Sequence, residues 1–403
     1  MIGAPLTLPN GVRLPNRIVK SAMSEALGDA HNDPSDALIA LYRRWGASGA
    51  GLLITGNTPV DRQHLEHAAN FALTDTSDLG RVRRLVAAAQ SGGAKVLAQL
   101  AHAGRQTPEA VNPIPLSVSD QRLDLPGYGP PRVGTDAEFD AVIARFVTSA
   151  RLAAEAGFDG VEIHAAHGYL LSSALSPRIN TRTDRWGGSL ENRARLVISV
   201  LRAVRAAVAP GFIVAVKLNS SDFQKGGFDH TESTRVAVML EREGVDFIEI
   251  SGGTFEAPTA YQHTSKAQST RAREGYFLDY AAAMKEALGV PLMVTGGFRS
   301  ADVMRQALEG GQTDLIGMGR PFIVDPEFPA KLIAGAIDAA PAVERDFPPA
   351  ADMPRGAGLN WFCTQLALLG QEGRTDLAMP VEEGHRRYLD RIAGATAALR
   401  KTG

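Results

Sequence analysis

Eight short apolar runs rich in β-branched residues recur along the chain, and their spacing restricts the fold more than any other feature. They are RIVKSAM (17–23), GLLITG (51–56), KVLAQLA (95–101), GVEIHA (160–165), FIVAVKL (212–218), DFIEIS (246–251), PLMVTG (291–296) and DLIGMG (314–319). Successive runs begin roughly 40 residues apart on average, room for a strand, a helix and loops. Several are apolar almost throughout, as parallel strands covered on both faces must be. Amphipathic stretches lie between them: in 136–156, Phe139, Ile143, Phe146 and Val147 recur at helical spacing. Ser189 with Glu191 opens a capped helix over 191–209. Parallel strands need helical crossovers, so eight such units predict an α/β fold, a closed (β/α)8 TIM barrel. An open doubly wound sheet would carry a Gly-rich phosphate turn after its first strand. Here that strand runs into SEALGDA, and the glycines cluster after runs seven and eight.

Three segments fall outside the repeat. PLTLPNGVRL (5–14) reads as a hairpin turning at Asn10-Gly11, an N-terminal plug for the bottom of the barrel. Residues 102–135 form a Pro-rich loop after the third strand, long enough for a lid or substrate loop. Residues 345–403 form a tail whose last part, 381–402, reads as a helix. No linker interrupts the chain, so 1–403 reads as one domain with its barrel core at about 16–340. Lys plus Arg (42) against Asp plus Glu (44) gives a net charge of -2, with no basic footprint for nucleic acid. Cys363 is the single cysteine, which excludes an intramolecular disulfide and any four-cysteine zinc or iron–sulfur site. No apolar run approaches the ~20 residues of a membrane span, and the amino end lacks a signal peptide's apolar core. A cytoplasmic protein without a membrane partner is the expectation.

In a barrel, chemistry sits at the carboxyl ends of the strands. Those positions hold Ser21 to Ser24, Gly56-Asn57, Gln99 with His102, His164 to Tyr169, Lys217, Ser251 to Gly253, Gly296-Gly297 and Gly319-Arg320. No paired carboxylates occur among them, which argues against two-acid chemistry. Gly296-Gly297 and Gly319-Arg320 close strands seven and eight, where backbone N–H groups and a guanidinium suit a phosphate; ordinary turn glycines are the alternative. HAAHGY sets His164, His167 and Tyr169 together, able to grip a carbonyl oxygen and donate a proton. No carboxylate or third histidine lies nearby to complete a metal site, so no metal is expected. Lys217, costly to bury unpaired, serves a Schiff base, an anionic cofactor or a structural carboxylate. Gln99 could face a flat heterocycle or simply bond backbone.

Together these segments resemble the Old Yellow Enzyme family of FMN-dependent ene-reductases over about residues 5–340. The sharpest parts are NRIVKSAMS (16–24), QLAHAGR (99–105), HAAHGYL (164–170), NTRTDRWGGSLENR (180–193) and IGMGRPFIVDP (316–326). The resemblance implies non-covalent FMN, with Ser21, Ala22, Met23 and Ser24 along the flavin and Gly56 or Asn57 nearby. Gln99 would meet the pyrimidine edge, Lys217 the N1 and C2-carbonyl region, and Gly296, Gly297, Gly319 and Arg320 the phosphate. His164, also a cofactor contact, and His167 would bond the substrate carbonyl, and Tyr169 would protonate the α-carbon. Lys217 stands where many relatives have Arg, Ser24 where Cys or Thr is frequent, and Trp186 where Tyr is usual. Without a cysteine cluster or a nucleotide-binding domain, the chain looks like the short, single-cofactor branch. The implied activity is ping-pong reduction, by NADH or NADPH, of C=C bonds conjugated to carbonyl or nitro groups. The implied partner is a small activated alkene, with homo-oligomers possible in the family. A Schiff-base lyase using Lys217 and another FMN barrel oxidoreductase are the rivals.

Overall fold

The computed structural model of the chain describes residues 1–256 and 277–402. Eight parallel strands form a closed barrel in sequence order: β1 (Ile18–Lys20), β2 (Leu52–Pro59), β3 (Lys95–Ala101), β4 (Gly160–Ala165), β5 (Ile213–Asn219), β6 (Phe247–Ser251), β7 (Leu292–Thr295) and β8 (Leu315–Met318). Ile316 lies in register with Ile18, so the last strand closes on the first. An outer layer contains α1 (Asp36–Gly46), α2 (Leu79–Ala89), α3 (Asp136–Ala156), α4 (Leu190–Ala207), α5 (His230–Arg242), α6 (Leu278–Glu286) and α7 (Ala301–Glu309). The expected strands agree with these to within a few residues.

Local chemistry explains the helix limits. Thr135 and Glu138 form a reciprocal capping box at the start of α3, and Gly157, at φ 93°, ends it in the left-handed region. Phe139 and Phe146 point into the core, while Ile143 and Val147 pack at its margin. Ser189 caps α4 by accepting from Asn192 N at 3.3 Å.

Period-two alternation divides the strand side chains between two cores. One set packs outward against the helices. The other fills the barrel's lower interior: Val19, Leu52, Ile54, Leu97, Ile213, Ala215, Phe247, Met293 and Leu315, joined by Leu8 and Leu14 of the N-terminal hairpin. The hairpin pairs Leu6 with Leu14 and Thr7 with Arg13, turning through Gly11 at φ 85°. It plugs the barrel as expected.

The tail contains two helices, α8 (Ala357–Gln371) and α9 (Val381–Thr402). α9 is the expected one; α8 was not anticipated. Arg391 of α9 donates to the carbonyls of Ala26 and Cys363, strapping the tail onto the segment that follows β1. Among the described residues, no helix is long and apolar enough to cross a membrane.

Candidate active site

Two residues beyond each apolar layer, the same inward faces turn polar. Ser21, Gln99, Glu162, Lys217, Glu249 and Thr295 occupy this level, all buried apart from the less enclosed Thr295. Gln99 Nε2 donates to Glu162 Oε2 at 2.6 Å, Lys217 Nζ donates to Glu249 Oε1 at 2.7 Å, and the Ser21 and Thr295 hydroxyls are 2.8 Å apart. Glu162 and Glu249 lie close enough for each to shift the other's proton affinity. This corrects the expectation that the site lacks paired carboxylates: the acids share the level of Gln99 and Lys217, two residues before His164 and Ser251. A charge inside an apolar run was the signal, the same one that singles out Lys217. Burial, then the neighbouring Glu249, pushes the Glu162 carboxyl well up. Burial works most strongly to raise Glu249, but the Lys217 ammonium together with Glu162 and Thr295 outweighs it and holds that carboxyl below its usual value.

Around the rim, Met23 packs beside Gly319, where an added Cβ would come within 3.1 Å of its sulfur. Ala22 is half-buried against the lower core. Ser24 donates to Glu66 Oε2 at 2.6 Å, an acidic partner that no motif marks. Gly56 must be glycine: its Cβ would meet Glu25 Oε2 at 2.0 Å, and its N–H donates to Glu25 Oε1 at 2.9 Å. Next to it, at a bulge in β2, the buried Asn57 Nδ2 has no partner.

β4 delivers the imidazoles. His164 sits beside Lys217 in the sheet register, and its Nδ1 accepts from Ala166 N at 3.2 Å, leaving the proton on Nε2. The chain then turns through His167, at φ 64°, whose Nε2 lies 2.9 Å from Ser251 Oγ. His164 packs edge-on to His167 at 5.1 Å and to Tyr169 at 4.9 Å between centroids, and Tyr169 meets Phe255 at 5.8 Å. Burial first, then the positive charge of Lys217, holds His164 well below its ordinary value. Burial, His164 and Lys217 do the same to His167. Both rings are therefore neutral near pH 7, fit to donate a hydrogen bond without carrying a charge.

Gly296 and Gly297 follow β7 with φ of 125° and 82°, conformations that only glycine adopts readily. Arg320 follows β8 and lies 3.4 Å from Glu344, which also pairs with Arg299. Two guanidiniums thus meet at one carboxylate on the segments that follow β7 and β8. Arg299 and Glu344 escaped sequence reasoning because both sit in aperiodic segments.

Asp61, His64 and His102 gather a second cluster outside the barrel, their ligand-type atoms within 4.8 Å of one another. His64 Nε2 accepts from Leu116 N at 3.0 Å and His102 Nδ1 from Gly104 N at 3.2 Å. Each ring therefore aims an N–H rather than a lone pair at Asp61, an arrangement that ties down the 102–135 loop.

The arrangement suits a flat, electron-accepting heterocycle with a phosphate tail: amides at Gln99 and Asn57, a cation at Lys217, paired glycines with guanidiniums on the neighbouring segments, and donors on one face. A model of the NADH:flavin oxidoreductase / NADH oxidase family matches residues 2–338. The chain is 38% identical over 354 residues to the NADH-dependent flavin oxidoreductase iliE of Neonectria sp., covering 81% of this chain and 46% of that protein. It is 38% identical over 358 residues to the NADH-dependent flavin oxidoreductase nadA of Aspergillus parasiticus, covering 84% and 80%. Among solved structures, a 2-naphthoyl-CoA reductase in complex with 2-naphthoyl-CoA matches with a TM-score of 0.78 and 27% identity, covering 84% of this chain and 53% of that one. The chain thus spans about half the length of the Neonectria protein and of the naphthoyl-CoA reductase.

Proposed function

The chain belongs to the NADH:flavin oxidoreductase / NADH oxidase family, and from that membership we propose an FMN-dependent NAD(P)H oxidoreductase that reduces C=C bonds conjugated to a carbonyl or nitro group. FMN, when bound, would supply the hydride-transfer chemistry between a nicotinamide and the alkene. The observation that carries this reading is the packed His164–His167–Tyr169 group beside Lys217, with both imidazoles held neutral.

His164 presents Nε2–H to a substrate oxygen and stabilises the charge that develops there. His167 joins it once Ser251 yields Nε2. Tyr169 gives its phenolic proton to the α-carbon. Gln99 orients the pyrimidine edge of the flavin, Lys217 offsets the negative charge gained near N1, and Ser21 to Ser24 with Gly56 and Asn57 line the ring. Gly296, Gly297, Gly319 and Arg320 hold the phosphate. A Schiff-base lyase would need Lys217 as a free amine, whereas Glu249 holds its ammonium at 2.7 Å.

The test is a visible spectrum of the purified protein, then anaerobic titration with NADH and NADPH and mixing of the reduced protein with activated alkenes. A flavin spectrum that bleaches with nicotinamide and returns with enones or nitroalkenes is expected. A colourless protein, or a reduced one that no such alkene reoxidises, refutes the proposal.

A further inference from the structure

Two carboxyl oxygens inside the barrel lack a hydrogen-bond donor. Glu162 spends Oε2 on Gln99, and Glu249 spends Oε1 on Lys217. Glu162 Oε1 and Glu249 Oε2 are buried without a hydrogen-bond partner, and the two carboxyls lie close enough to shift each other's proton affinity, with Thr295 also acting on Glu249. Two ionised carboxylates would repel in a desolvated space, and neither has a hydrogen to offer the other. One proton between them satisfies both.

We propose that Glu162 and Glu249 are positioning residues that share a single proton, and that this proton sets how much of the Lys217 charge reaches the flavin. The charged groups around the pair are few. Lys217 comes from β5, Lys20 acts from β1 through space, and the neutral His164 lies one layer above. Lys20 itself is turned away, donating to the Ile54 carbonyl at 2.6 Å. With the proton in place, Glu162, Glu249 and Lys217 sum to zero. Without it, a net negative charge lies beneath the ring that reduction also makes more negative.

The second half of the proposal rests on the reading that places Lys217 beside the flavin; the shared proton does not. Infrared spectra of the FMN-loaded parent and of Glu162→Gln, at neutral pH and in H2O and D2O, test the proton. A protonated-carboxyl band that shifts in D2O and disappears in the variant is expected. Its absence from the parent, or its survival in Glu162→Gln, overturns the shared proton. The flavin midpoint potential, followed from about pH 6 to about pH 10, where buried glutamates lose their protons, tests the coupling. The parent's potential should fall more steeply than the variant's, since only the parent can lose the proton. Parallel lines overturn the coupling, and if the infrared band behaves as expected they also show that Lys217 lies elsewhere than beside the flavin.

Discussion

Lys217 enters the site on a strand whose preceding inward residues, Ile213 and Ala215, are apolar, so its charge depends on Glu249. Lys217→Met should make the flavin potential more negative and slow its reduction by NAD(P)H. It also strands a buried carboxylate, at a cost of about 3–5 kcal/mol. Deprived of its cation, Glu249 would bind a proton more tightly folded than unfolded. The destabilisation should therefore grow as pH rises above the ordinary glutamate range near ~4.3; urea unfolding at several pH values measures it. Tyr169→Phe removes only the acid, so alkene reduction should slow by ~10²–10⁴-fold while flavin reduction stays largely intact. Rapid mixing of each half-reaction reads this, and a parent-like alkene step would transfer the proton donor's role to water or another group. Gln99, His164 and Lys217 were legible because each is a polar residue in an apolar run. Glu162 in GVEIHA and Glu249 in DFIEIS carry the same mark on the same level, but each stands two residues before the histidine or serine that closes its strand. Glu66, Arg299 and Glu344 carry none, since only tertiary folding brings loop residues to Ser24 and Arg320.

The strands were readable because two-sided burial forces an apolar run wherever one passes through the sheet. Helices α3 and α4 declared themselves through caps and amphipathic spacing. α8 did not: its WFCTQLALLG segment is almost wholly buried, from Trp361 through Leu369, so it has no polar face to set the period. The N-terminal hairpin was legible from Asn10-Gly11 and its flanking apolar residues. Its work is confined to the barrel's lower end, where Leu14 is fully buried. Leu14→Ala should cost about 2–5 kcal/mol of stability while leaving the flavin spectrum and midpoint unchanged. An altered spectrum would mean that the plug communicates with the polar layer above it.

Across the whole molecule, His67, His102, His164 and His167 are buried, and burial is the leading cause that lowers the proton affinity of each. Unfolding returns them to an ordinary value near ~6.5. Groups depressed in the folded state stabilise it above that value, and the stability is lost as pH falls through it. Each can contribute up to about 1.4 kcal/mol per pH unit. Thermal melts should therefore fall steadily from about pH 7.5 to about pH 5.5, and a flat profile would show that these rings are hydrated when folded. Closure of the barrel has a consequence of a different kind. Ile316 must meet Ile18, Arg17 donates to the Asp314 carbonyl, and Arg391 must reach Ala26. A ribosome adding ~5–20 residues per second needs roughly 15–60 s to travel from Ile18 to Ile316. Throughout that interval β1 offers the cell a bare edge, and a nascent chain has no finished pocket in which to capture its flavin.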